Sequence, residues 1–156
     1  MGTKYESILD EVRGQIGVGW QVGVYEIEKG MLRMFVQAIG DPNPLWQDEE
    51  YAKKSGYGGI IAPPTFPLAI YINELIEQKP FLGSEGLNAG NEVEFYQPIR
   101  TGDIITVTAK FTDVNEREGK RGKMGFIDTQ VTYTNQRQQV IAINALKAII
   151  LKEVVH

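Results

Sequence analysis

A chain of 156 residues, 42% hydrophobic and 23% charged, is long enough to bury one substantial core and too apolar to be disordered. Its net charge of −4 argues against a general nucleic-acid binder. With no cysteine, disulfides, thiolate metal sites and cysteine nucleophiles are excluded. Met1 to Glu6 lack the basic start and apolar run of a secretory leader, and no apolar run approaches the roughly 20 residues that cross a bilayer. A cytoplasmic location is expected, with no cofactor and no metal. The single histidine is His156, the last residue. A frayed terminus holds a catalytic base poorly, so a mechanism that needs histidine must take it from another chain.

In chain order, Lys4 to Arg13 places Tyr5, Ile8, Leu9 and Val12 at helical spacing. Gly14, Gly17 and Gly19 break that pattern. Trp20 to Ile27 alternates as a strand through Trp20, Val22 and Val24, then shifts phase at Tyr25 and Ile27. Lys29 to Ile39 predicts a helix with a Leu32, Phe35, Val36 and Ile39 stripe, ended by Gly40. Asp48 caps a second short helix to Lys54, with acids in its first turn and lysines in its last.

Thr65 to Gln78 reads as a buried central helix, capped by Thr65, with Pro67 in its first turn and apolar bulk on most sides. Four strands follow: Asn91 to Gln97, Ile104 to Val114, Gly125 to Thr134 and Gln139 to Leu151. Short connections predict that consecutive strands are antiparallel neighbours. Ile105, Val107, Ala109 and Phe111 share one face. The dense apolar run from Val140 to Leu151 predicts a strand covered on both faces, by a helix on one side and by something else, such as a second subunit, on the other. The fold class is α+β, a long antiparallel meander wrapped around a central helix.

Gly40-Asp41-Pro42-Asn43-Pro44-Leu45, followed by Tyr51-Ala52, resembles the hydratase motif of the MaoC-like group. These are hot-dog-fold enzymes that add water to acyl thioesters or remove it. Gly58-Gly59-Ile60-Ile61-Ala62 resembles that group's approach to its central helix, and Phe95 to Asp103 a corner between two later strands. The resemblance covers roughly Gly17 to Leu151 and implies a single hot-dog domain over 1–156.

In active members the motif continues Asn-Pro-Leu-His, so an Asp and a His five positions apart activate one water. Hydration needs a base for the water and an acid for the α-carbon, and the thioester oxygen needs N–H donors. Asp41 matches the family Asp as the catalytic candidate, and Asn43 matches its structural Asn. Trp46 stands where the His belongs, and an indole does not titrate. Active members have His-Gly where this chain has Pro63-Pro64, and in them the glycine N–H faces the thioester oxygen. Pro64 has no N–H, and the Thr65 N–H substitutes only if the backbone shifts. The Ala62 to Phe66 segment is similar to the non-catalytic half of double-hot-dog and heterodimeric dehydratases. There one half brings Asp and His while the other shapes the acyl pocket. The resemblance thus implies a substrate-binding set of Asn43, Trp46, Tyr57, Pro64, Thr65 and Phe66, with Asp41 vestigial.

Local chemistry offers plainer roles. Asp41 and Asn43 are turn formers, Trp46 a packing residue or pocket wall, and Thr65 a helix cap. Glu116 to Lys123 reads first as a solvated hairpin loop; its four cations also suit the phosphates of coenzyme A or an acidic carrier protein. Three functions remain open. The chain is a pocket-shaping subunit acting on coenzyme A or carrier-protein thioesters, as a homodimer or as a heterodimer with a hot-dog subunit that carries the Asp/His dyad. Alternatively it is a self-sufficient homodimeric hydratase or thioesterase using Asp41, or a non-enzymatic acyl-CoA binder.

Overall fold

The computed structural model describes residues 2–120 and 122–152; His156 and Arg121 lie outside that range. Helix α1, Lys4–Gln15, opens on a capping box in which the Thr3 hydroxyl accepts the Glu6 N–H and the Glu6 carboxylate accepts the Thr3 N–H (2.9 Å). The box also holds Glu6 below the usual carboxylate range, with Lys152 contributing. Its four apolar residues pack over Phe111, Ile127 and Ile150. Gly125 permits this approach, since a Cβ there would stand 2.7 Å from Leu9 Cδ2.

Strand β1 spans Trp20–Glu26 and helix α2 Lys29–Ile39, closed by Gly40 at φ 66. The phase shift in β1 is a bulge between Gln21 and Gly23, which turns Val24 outward (53% exposed) while Val22 and Ile27 stay buried. Helix α3 spans Glu49–Lys54, with the Asp48 carboxylate accepting the Tyr51 N–H at 3.0 Å.

The central segment differs from the continuous helix expected. Phe66–Ala69 is a 3-10 turn, the backbone leaves helical geometry at Tyr71, and helix α4 covers only Ile72–Gln78. Proline explains the first part. Pro67 would donate to the Pro63 carbonyl in an α-helix but has no N–H. Phe66 N–H takes that carbonyl instead at 3.0 Å, and Leu68 N–H bonds Thr65 O at 3.1 Å, both one residue short of α spacing. Thr65 already has helical φ and ψ and makes no side-chain cap, so it is not the cap expected. Nor is the segment apolar-buried all round: Phe66, Ile70, Tyr71 and Leu75 face the core, while Ile72, Asn73 and Ile76 are exposed.

The remaining strands are β2 (Gly86–Phe95), β3 (Ile104–Gly119), β4 (Gly122–Thr134) and β5 (Val140–Leu151). The sheet order is β1-β3-β4-β5-β2, antiparallel throughout. The sheet is therefore not a simple meander: β2 pairs with β5, and β3 with β1. Residues 96–103 carry the chain across, pinned midway by Ala62 N–H on Ile99 O (2.8 Å). The charged stretch 116–119 is strand rather than loop, because the β3–β4 ladder continues to Gly119↔Gly122. There the Arg117 guanidinium lies over the Phe126 ring, and Glu116 is engaged by Tyr5 and Arg13 of α1. Burial and the Glu116 bond push the Tyr5 phenol up to about 12.

Ile105, Val107, Ala109 and Phe111 share the buried face as their alternation predicts. Strand β5 is not covered on both faces within this chain. Asn144, Leu146, Ala148 and Ile150 point into the core, while Ala145 and Lys147 are exposed. Beneath α4, Tyr71 meets Tyr133 edge-on at 5.7 Å, and Asn144 Nδ2 donates to Asn91 Oδ1 at 2.8 Å. Edge strand β2 is largely bare, with Leu87 and Phe95 about half exposed. Among the described residues no helix is long and apolar enough to cross a membrane.

Candidate functional site

The turn after α2 is held by its own side chains. The Asp41 carboxylate accepts the Asn43 N–H (3.0 Å), the Asn43 side-chain oxygen accepts the Leu45 N–H (3.0 Å), and the Gln47 amide donates to the Asp41 carbonyl (2.7 Å). These are successive Asx turns, in which a short polar side chain replaces a backbone acceptor two residues back. They start a 3-10 turn over Pro44–Trp46 with Pro44 at its head. Asp41 and Asn43 are thereby committed to backbone order.

Trp46 points into a cleft of about 660 Å³ bordered by α2, α3 and the chain at Gly59–Ile60 and Arg100–Thr101. Its indole Nε1 is buried without a hydrogen-bond partner. Lys29 crosses the cleft to Glu49 at 2.8 Å and holds that carboxyl below its usual range. Arg100 donates to the Tyr57 carbonyl at 2.6 Å. So Tyr57 reaches the site through its backbone, while its side chain is exposed.

The helix start forms a second region. Phe66 is buried and meets Phe35 of α2 edge-on at 5.4 Å, which fixes the start against the helix that leads into the Asp41 turn. Ile61 N–H on Leu45 O (3.4 Å) joins the two regions through the backbone. Pro64 and Thr65 are exposed, and the Thr65 N–H bonds no acceptor among the described residues.

Of the seven residues singled out from sequence, only Trp46 lines the cleft. Sequence reasoning missed Arg33, Lys53 and Arg100 as its cationic border. Lys53 reads as a helix-dipole complement and Arg33 as the solvent side of an amphipathic helix. Only the tertiary arrangement of α2, α3 and the 96–103 crossing brings them to one cleft. Among the described residues no cluster of His, Asp or Glu has metal-binding geometry.

The family profile described as FAS1-like, dehydratase domain region matches residues 14–144. A UPF0336 protein of Streptomyces avermitilis is 37% identical over 100 residues, covering 61% of this chain and 67% of the relative. A probable enoyl-CoA hydratase alpha subunit of Thermomonospora curvata is 30% identical over 159 residues, covering 90% of this chain but 50% of the relative. Among solved structures, a MaoC-like dehydratase from Rhodospirillum rubrum superposes with a TM-score of 0.75 at 24% identity, covering 90% of this chain and 94% of the other. The truncated HadBC (3R-hydroxyacyl-ACP dehydratase) complex of Mycobacterium tuberculosis gives 0.74 at 19% identity, covering 86% and 96%. The two superpositions place the fold among hot-dog dehydratases. With its profile match running from the last turn of α1 to the middle of β5, this chain belongs to the FAS1-like dehydratase family of MaoC-like hot-dog proteins.

Proposed function

We propose that this chain, as a single hot-dog domain over residues 1–156, is the pocket-shaping subunit of a cytoplasmic hydro-lyase. The enzyme hydrates enoyl thioesters of coenzyme A or a carrier protein, or dehydrates the hydroxyacyl forms. A second hot-dog subunit supplies the Asp/His dyad. The observation that carries this reading is an intact Asp41–Asn43 turn ending in Trp46. The backbone frame of a hydratase motif is kept, and the group that would move a proton is an indole. Pro64 removes an N–H donor at the same site, consistent with chemistry done elsewhere.

Two further findings support a partner. Strand β2 offers an unpaired edge of ten residues with Leu87 and Phe95 exposed, and an unpaired edge can take a strand from another chain. The Thermomonospora relative is by its name a subunit, and the HadBC dehydratase is by its name a complex. In this reading Trp46, Phe66 and Tyr57 shape the pocket with Asn43, Pro64 and Thr65, while Asp41 is vestigial.

The test is co-expression with a hot-dog subunit carrying Gly-Asp-x-Asn-Pro-Leu-His. The two chains co-purify, and only the pair hydrates crotonyl-CoA. Full activity of this chain alone defeats the proposal. A second reading, a self-sufficient homodimer using Asp41 as a hydratase or thioesterase, draws on the unbonded Thr65 N–H as an oxyanion donor. The third, an acyl-CoA binder without turnover, is the outcome if the chain binds thioesters and no partner restores hydration.

A further inference from the structure

Strand β5 carries more apolar bulk than the core of this chain uses. Its outward residues are Ile143, Ala145, Lys147, Ile149 and Leu151, a single lysine among apolar side chains. A sheet face made for water is polar on its outer side. Next to them β4 turns out Phe126, Asp128, Gln130 and Thr132. The helices lie on the other side of the sheet, α1 over Phe111, Ile127 and Ile150, and α4 over Tyr133. On the outer face a depression of about 750 Å³ is lined by Gly90 and Ala145 and by the charges of Lys110, Asp128, Lys147 and Glu92.

These charges are ordered. Residues paired across neighbouring strands share a face, so the ladders give the rows that cross it. One row reads Lys110, Gln130, Ala145, Glu92 over β3, β4, β5 and β2. The row beside it holds Asp128 on β4 and Lys147 on β5. In each row the cation and the carboxylate lie equally far from the β4–β5 boundary, on opposite sides of it. A two-fold axis along the strands at that boundary, midway between two stacked sheets, therefore sets Lys110 opposite Glu92 of a second copy. It also sets Asp128 opposite Lys147 and Gln130 opposite Ala145, and every pair occurs twice. Stacked sheets lie about 10 Å apart, a gap that a lysine and a glutamate reach across together. Lys110 and Glu92 are exposed and form no ion pair among the described residues. Asp128 and Lys147 meet within the chain only at 3.7 Å. Across the axis they close a ring of two carboxylates and two ammonium groups.

We infer that the outer face of the sheet is a docking surface for a second copy of this chain, related by a two-fold axis that runs along the strands between β4 and β5. The occupant is a copy because the charge pattern complements itself about that axis. The surface is distinct from the β2 edge. A partner at the edge extends the sheet in its own plane and leaves the outer face open. The inference does not rest on the hydratase reading.

Sedimentation velocity of the full chain, from micromolar to near-millimolar concentration, tests this. The chain is expected to associate through the face, more weakly as salt rises. Lys110→Glu and Glu92→Lys, both at exposed positions, are each expected to weaken that association about tenfold or more, since each sets two like-charged pairs across the axis. Mixed in equal amounts, the two variants are expected to regain it, because one is then negative at both positions and the other positive. Lys110 lies three strands in from the β2 edge, so pairing at that edge alone is indifferent to Lys110→Glu. Where the edge also pairs, the loss is read in the larger of the two assemblies. Association that Lys110→Glu leaves unchanged, or none at any concentration, overturns the surface. Failure of the mixed variants to regain it overturns the two-fold arrangement.

Discussion

The Asp41 turn and the helix start at Pro63–Phe66 meet through one backbone bond, Ile61 N–H to Leu45 O, and depart from an active site in opposite ways. The turn keeps every bond that orders its backbone and lacks only the side chain that would titrate. The start instead lacks backbone donors, because Pro63, Pro64 and Pro67 remove three N–H groups and leave a 3-10 turn where a helix would begin. Its apolar anchor, Phe66 on Phe35, is intact. In the proposed reading, frame and chemistry within one motif reside on different atoms and are lost separately.

The largest effect expected from undoing both departures is on rate. Trp46→His alone restores a titrating group without the donor, and Pro64→Gly alone restores the donor without the group. Together they are expected to raise crotonyl-CoA hydration about 100-fold over either single change, within the range of one positioned acid–base. Equal activity of the double and single variants breaks the comparison. Next is the anchor: Phe66→Ala should cost about 3–5 kcal/mol in chemical denaturation, as a fully buried aromatic does. A cost below about 1 kcal/mol would mean that the start is not fixed through Phe35.

The turn itself gives a smaller and sharper test. Asn43→Ala and Asp41→Ala should each cost about 1 kcal/mol by denaturation, as lost caps do. Asp41→Asn keeps an oxygen acceptor and should cost less than about 0.5 kcal/mol. If Asn and Ala cost the same at position 41, the carboxylate does more than hold the turn.

Smallest is the effect of the buried phenols under α4. Burial raises Tyr71 and Tyr133 above the ordinary 10.0, with Tyr71 adding to the shift of Tyr133. A raised folded pKa means that the folded state holds the proton more tightly. The associated stability is therefore complete below pH 10 and is lost as pH rises beyond it. Phenolate absorbance of these two tyrosines should appear together with unfolding, not before. Tyr133→Phe should leave the fold at least as stable at neutral pH, since the buried hydroxyl it removes has no hydrogen-bond partner among the described residues.

Local signals in the sequence were reliable where the chemistry was local. Gly40 as a left-handed stop, Asp48 as a cap, the Lys29–Ile39 helix and the inward face of β3 all follow from residue type and period. Even the bulge in β1 showed as a phase shift at Tyr25. The errors concern competition between local and distant partners. Thr65 has the side chain of a cap, but three prolines dictate its turn. Strand β2 has short links on both sides, yet its place in the sheet is set by the crossing at Ile99, which no periodicity reveals. At the site, Asp41, Asn43 and Trp46 were legible because they sit in one motif. The cationic rim was not, because Arg33, Lys53 and Arg100 come from three separated segments.

We propose that this chain keeps a hydratase frame without hydratase chemistry. The most direct test is crotonyl-CoA hydration by the purified chain alone, beside Asp41→Asn. The account predicts that neither exceeds the uncatalysed rate. Turnover by the unmodified chain that Asp41→Asn abolishes would contradict it and make Asp41 a working catalytic residue.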